Sequence, residues 1–217
     1  LCAFPNALPS AVWVGNPLRA GMSQIESPQV RYSERSGRLQ ILVVGGSLGA
    51  AALNEIVPEA LAKIPVESRP SVIHQAGEKH LDQLRQKYNS LNVEAEVVPF
   101  IDDMVAAYAQ ADLVICRAGA MTVAEISAVG VASYLVPFPF AVDDHQTSNA
   151  KFLSDAGAAV LMPQVDMTAT SLAAYLQTVD RTELSRMAER ALSQAKPNAT
   201  KDVAEICQML SKRAVQP

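Results

Sequence analysis

The sequence predicts an α/β protein, a Rossmann-like doubly wound parallel sheet. Three observations predict it. Apolar runs of strand length recur at 39–44, 71–75, 93–99, 112–116, 132–136 and 158–162, and a stretch of helical character fills each interval between them. Such βα alternation gives parallel strands buried on both faces. The turns that follow these strands carry the small and polar residues suited to a ligand, and right-handed crossovers gather such turns at one edge of the sheet.

Taken in order, 1–10 with Pro5 and Pro9 is neither a secretory signal nor a capped helix, and reads as the tail of a loop from a longer chain. Residues 11–14 read as a short strand ended by the turn Gly15-Asn16-Pro17, with Arg19 just beyond. The stretch 23–37 is polar and aperiodic, contains Pro28, and reads as a linker. Strand 39–44 runs into Gly45-Gly46-Ser47-Leu48-Gly49, and a helix follows to about residue 64. This is the first half of a βαβ unit whose turn can present amides to a phosphate, although close helix-to-strand packing also calls for glycine. The spacing is not the full G-x-G-x-x-G fingerprint and no acidic residue clearly ends strand 71–75, which disfavours NAD. Helices are expected at 79–88, 103–109 and 145–156, with a loop at 137–144. After residue 168 the strands stop and three helices remain, at 168–178, 181–195 and 201–214. In the last, Val203, Ile206, Cys207 and Leu210 lie near one face and call for a partner surface.

The centre of the chain is DLVICRAGAMTVAEISAVG at 112–130, a strand, a turn and a helix stopped at Gly130. Arg117, Ala118, Gly119 and Ala120 are small or basic, which lets backbone amides approach an anion where the helix dipole favours negative charge. Glu125, one turn inside, is placed to accept hydrogen bonds from ribose hydroxyls. The same residues have a reading without a ligand. Thr122 and Glu125 show the S/T-x-x-E spacing of a capping box, with Thr122 as the cap. The stretch alone leaves both open.

Composition narrows the class. An apolar fraction of 49% with 18% charged residues describes a soluble globular protein with a sizeable core, and a formal charge of -4 offers no basic surplus for nucleic acid. The weakly polar run 128–142 is too short to span a bilayer and contains Pro137 and Pro139. Cys2, Cys116 and Cys207 are far apart and read as free thiols in a reducing compartment, Cys116 as a small buried hydrophobe. His74, His80 and His145 are scattered, and no metal site is visible.

Five ordered motifs are spread between residues 15 and 150: GNPLR at 15–19, GGSLGA at 45–50, FIDDM at 100–104, CRAGAMTVAEI at 116–126 and DDHQTSNA at 143–150. Through them the chain resembles the C-terminal half of the MurG family of bacterial glycosyltransferases. The resemblance implies a two-domain GT-B enzyme of peptidoglycan and cell-wall biogenesis, and so of cell shape and division. It would move N-acetylglucosamine from UDP-N-acetylglucosamine to lipid I, giving lipid II, with inversion and without metal or cofactor. The implied organisation is 1–23 as the tail of an N-terminal domain and the crossing from it, and 24–38 as a linker. The UDP-sugar domain follows at 39–195, and 196–217 is a helix that packs on the absent N-terminal domain.

Residue by residue, Arg19 and Ser47 match positions that contact the diphosphate, and Ile101 the position whose backbone reads the uracil edge. Ala120, Met121 and Thr122, continued by Val123 and Ala124, match the helix start that holds the diphosphate, and Glu125 matches the ribose carboxylate. Gln146 matches the residue that bonds the sugar hydroxyls, with His145 and Asn149 as weaker candidates beside it. No catalytic residue is expected in this half. The implied location is peripheral, on the cytoplasmic face of the bacterial inner membrane, with membrane and lipid contacts made mainly by the other half and this piece soluble. Two alternatives accompany this reading: a natural UDP-sugar-binding subunit that needs a separate membrane partner, and a nucleotide-sugar epimerase of the same architecture.

Overall fold

The computed structural model describes residues 1–5, 9–46, 50–141 and 144–214. Strands β1 (Gln40–Val44), β2 (Ser71–Gln75), β3 (Glu96–Val98), β4 (Leu113–Cys116), β5 (Ala132–Leu135) and β6 (Ala159–Leu161) form one sheet in the order β3-β2-β1-β4-β5-β6. Every neighbouring pair is parallel. The six strands are those expected, and β3 is trimmed most. Val93 closes the turn after the preceding helix, its amide donating to the Tyr88 carbonyl at 3.0 Å, so pairing starts only at Glu96.

The helices are α1 (Pro28–Ser33), α2 (Ala51–Ala62), α3 (Leu81–Ser90), α4 (Met104–Gln110), α5 (Ala120–Val129), α6 (His145–Ser154), α7 (Ala169–Thr178), α8 (Arg181–Ser193) and α9 (Ala199–Ala214). The alternation of side chains along β1 sends Ile41 and Val43 into one core with Leu53 and Val57 of α2 and Leu172 of α7. Leu42 enters the opposite core, with Tyr108 of α4 and Val123 and Ile126 of α5. The sheet is therefore covered on both faces. The chain runs outward from β1 to β3 and then returns to β4, so the strand order reverses between β1 and β4. A ligand crevice in such a fold lies at that reversal, outside the carboxyl ends of the strands.

Two expectations fail at the start of the chain. Residues 11–14 add no strand to the sheet. Trp13 makes only an isolated parallel bridge with Cys2, its indole donates to the Ala3 carbonyl at 3.0 Å, and Val12 is 60% exposed. The segment is held by its aromatic ring, which packs edge-on against Phe152 and lies under the Lys196 ammonium. The stretch 23–37, expected as a linker, carries α1 and a preceding 3-10 turn at Met22–Gln24. Pro28 begins α1 instead of breaking it, since the first helical position needs no N–H. The helix is docked: the Tyr32 hydroxyl donates to the Asp112 carbonyl at 2.7 Å, and Arg31 donates to the carbonyls of Val129 and Gly130 at the end of α5.

Gly130 explains how closely these parts meet. It ends α5 in the left-handed region at φ 63, and a Cβ there would lie 2.7 Å from Pro28 and 2.9 Å from Leu192. Only glycine fits that close approach of α1 and α8. Helix α9 differs from the rest. Val203 and Ile206 are half-buried, Cys207 and Leu210 are exposed, and Leu210 is 55% accessible.

Candidate functional site

The loops after β1, β3, β4 and β5 open at the carboxyl edge because all six strands point the same way. The α5 start lies at the reversal between β1 and β4. Gly119 is the N-cap, in extended conformation, and no side chain caps the helix. The amides of Ala120, Met121 and Thr122 therefore stand at the positive end of the helix without a side-chain partner of the capping kind. Ala120 and Met121 are exposed, and Thr122 and Ala124 half-buried. Val123 is fully buried, so only its backbone can serve a ligand.

The capping-box reading of Thr122 and Glu125 is overturned. The N-cap is Gly119, three residues earlier, which puts Thr122 inside the helix, and Glu125 turns inward. Glu125 is only 4% exposed. Its Oε2 accepts from the Tyr108 hydroxyl at 3.2 Å, and its Oε1 pairs with Arg19 Nε at 3.1 Å. Burial raises the carboxyl above the ordinary glutamate range, while the Arg19 charge and the Tyr108 hydrogen bond pull it back down.

Arg19 reaches this carboxylate because the GNPLR segment is fixed beside α5. Asn16 Nδ2 donates to the Ala120 carbonyl at 3.2 Å. Gly15, at φ 86, lies so close to Lys196 that a Cβ would be 2.5 Å from the lysine Cβ. The Arg19 side chain itself stays half exposed, at 54%.

Arg117 has a different role from the one read from the turn. Its guanidinium donates to the Val136 and Pro137 carbonyls at 3.1 and 3.2 Å and to Gln164 at 2.6 Å, and it stacks on Phe138. The charge is spent on holding the loop after β5. Cys116 is fully buried and its thiol is pushed up to about 12 by burial and the nearby Glu125 charge, which fits the small-hydrophobe reading.

Farther along the edge, Gln146 Oε1 accepts from the Phe138 amide at 3.0 Å and Asn149 Nδ2 donates to the Ala118 carbonyl at 3.0 Å. The two residues of α6 thus brace the loops after β5 and β4. His145 is exposed at the first position of α6. Ile101 is half-buried against the α4–α5 core, two residues before the Asp103 cap of α4. Ser47 lies outside the described residues. Among the described residues no three His, Cys, Asp or Glu side chains are grouped to hold a metal ion, and no helix is long and apolar enough to cross a membrane. Sequence reasoning missed Asn16 and Tyr108. Asn16 stood inside a quoted motif, whereas Tyr108 reads as one more apolar residue of a short helix.

Residues 40–206 match the glycosyltransferase family 28 C-terminal domain. A protein of Ralstonia nicotianae named UDP-N-acetylglucosamine--N-acetylmuramyl-(pentapeptide) pyrophosphoryl-undecaprenol N-acetylglucosamine transferase is 61% identical over 210 residues, 95% of this chain and 58% of the relative. A protein of Burkholderia thailandensis with the same name is 60% identical over 211 residues, covering 95% and 58%. The chain thus spans a little under three-fifths of the length of these relatives. The crystal structure of Acinetobacter baumannii MurG superposes with a TM-score of 0.85 at 42% identity, covering 95% of this chain and 59% of that one. The glycosyltransferase VinC, solved in complex with dTDP, shares the fold at 18% identity and a TM-score of 0.58.

Proposed function

Because the chain belongs to the glycosyltransferase family 28 C-terminal domain family, with the C-terminal domain fold of a GT-B glycosyltransferase, we propose that it is the donor-binding half of a UDP-N-acetylglucosamine transferase. The whole enzyme would transfer N-acetylglucosamine to lipid I for peptidoglycan synthesis. The observation that carries this reading is the buried Glu125 carboxylate paired with Arg19 beside the uncapped start of α5. A carboxylate suits a ribose diol, and a guanidinium with several helix-terminal amides suits a diphosphate.

In this reading Glu125 takes the ribose hydroxyls. Arg19 and Ser47 hold the diphosphate with the amides of 120–124, and the backbone at Ile101 reads uracil. Gln146 takes the sugar hydroxyls through the amide nitrogen that its bond to Phe138 leaves over, with His145 and Asn149 flanking it. As the glycosidic bond breaks, negative charge grows on the departing diphosphate, where the helix dipole and Arg19 stabilise it. No group of this chain is assigned as the base. The acceptor, the membrane contact at the cytoplasmic face of the inner membrane, and the proton transfer belong to the remaining two-fifths of the relatives' length.

Calorimetric titration of the 217-residue chain is expected to show binding of UDP and UDP-N-acetylglucosamine, weaker binding of ADP, and no sugar transfer to a lipid acceptor. Transfer by this chain alone would refute the division of labour. Glu125→Gln keeps the shape and removes the charge. A hydrogen bond to a charged group is worth roughly 1.5–3 kcal/mol, so affinity for UDP is expected to fall about tenfold to a hundredfold. Unchanged affinity would remove Glu125 from the site.

The same proposal gives α9 a partner. In its apolar stripe Val203 and Ile206 are half-buried and Cys207 and Leu210 exposed, and a preceding domain would bury it. Amide exchange is expected to be faster in α9 than in α5, and weak self-association to disappear when 201–217 is removed. Exchange as slow as α5 in a strictly monomeric chain would show that α9 docks on its own domain.

A further inference from the structure

We propose that Tyr108 is a positioning residue of the nucleotide site, holding the Glu125 carboxylate in the one orientation from which it can receive a ribose. The inference rests on the UDP-binding reading above and extends it to a residue that does not touch the ligand. Tyr108 is completely buried on α4, and its hydroxyl lies 3.2 Å from Glu125 Oε2. A carboxylate accepts only, so the hydroxyl donates. The outer oxygen, Oε1, faces the half-exposed Arg19 at 3.1 Å. The two oxygens thus have different tasks: one is tied to the interior by a buried donor, and the other is paired with the more exposed Arg19.

Three physical points support the assignment. A buried carboxylate at the edge of an apolar core is inclined to take up a proton or to swing outward, and a fixed donor opposes both. Burial and the neighbouring Cys116 and Glu125 keep the Tyr108 phenol well above its ordinary pKa, so it remains a donor at all working pH values. The placement also couples two parts of the site. Tyr108 sits on the helix capped by Asp103, directly after the loop that carries Ile101, and its hydroxyl reaches across to α5. Base loop and ribose carboxylate are thereby held in register by one hydrogen bond.

The test compares UDP with 2′,3′-dideoxy-UDP on the 217-residue chain and its Tyr108→Phe variant. The variant keeps the ring and loses only the donor. UDP affinity is expected to fall about tenfold, and affinity for the dideoxy nucleotide, which makes no bond to Glu125, to change less than about twofold. In a Glu125→Gln background the Tyr108→Phe change is expected to leave the UDP to dideoxy-UDP ratio unmoved. Equal losses for both nucleotides, or no loss for UDP, would overturn the proposal. Should Tyr108→Phe not fold, 3-fluorotyrosine at position 108 preserves the shape and strengthens the donor. The ratio is then expected to shift at least about twofold, and an unmoved ratio overturns the proposal equally. Failure of the unmodified chain to bind UDP at all would instead refute the nucleotide reading itself.

Discussion

Asp112→Ala is expected to destabilise the fold by about 3–5 kcal/mol, the usual result of removing one partner from a buried charge cluster. The Asp112 side chain is fully buried just before β4. Oδ1 accepts from Arg35 at 2.8 Å, and Oδ2 accepts from Arg181 at 3.0 Å and from the Gln40 amide at 2.8 Å. Burial alone would raise this carboxyl, but the hydrogen bonds from Arg181, Arg35 and the Gln40 amide outweigh it and hold it below its ordinary range. Alanine would leave two mostly buried guanidinium groups without their counter-charge, with only backbone carbonyls as acceptors, and the Gln40 amide at the start of β1 without its acceptor. Asp112→Asn, which keeps the shape, is expected to cost less. Urea unfolding measures both. The cluster lies at the amino edge of the sheet, away from the candidate site, so UDP affinity of the folded fraction is expected to stay within about twofold. A loss below about 1 kcal/mol would mean that water replaces the carboxylate.

This cluster shows where sequence reasoning stops. Arg35, Asp112 and Arg181 are 77 and 69 positions apart in the chain, and no local pattern joins them. What was legible was periodic or repeated: six apolar runs separated by helices specify parallel strands, and the same logic brings the loops after them to one edge. Glu125 could be read as a ribose carboxylate or as part of a cap, because a local spacing cannot reveal which residue starts a helix. The structure decides that point through Gly119. Helix α1 escaped notice because six residues hold too little periodicity, and Pro28 reads as a breaker wherever the first helical position is unknown. Arg117 shows the converse error. A basic residue next to an anion-suited turn invites a phosphate role, yet its three carbonyl partners come from segments 19 to 47 residues away.

The second large effect is acid instability set by His74. The ring is fully buried on β2, between the Tyr88 hydroxyl at 2.8 Å on Nδ1 and Asn54 Oδ1 at 3.1 Å on Nε2. Asn54 Nδ2 donates to the Ala76 carbonyl at 3.1 Å, which turns its Oδ1 toward the histidine. Nε2 therefore carries the proton and Nδ1 accepts from Tyr88. A second proton on Nδ1 would face the Tyr88 oxygen and leave the phenol hydrogen without its acceptor. Burial lowers the pKa to about 3 from 6.5. Between these values the unfolded chain binds a proton that the folded chain does not, so stability falls as pH falls. The contribution is complete above about 6.5, declines by about 1.4 kcal/mol per pH unit, and is exhausted near 3. At pH 5 the loss is about 2 kcal/mol. His74→Gln removes the titrating group, so the difference between the two proteins in urea unfolding isolates the histidine from Asp112 and Glu125, which are common to both. The wild-type curve is expected to be steeper from pH 6.5 to 5 by that amount, and parallel curves would mean that the imidazole is already protonated in the core.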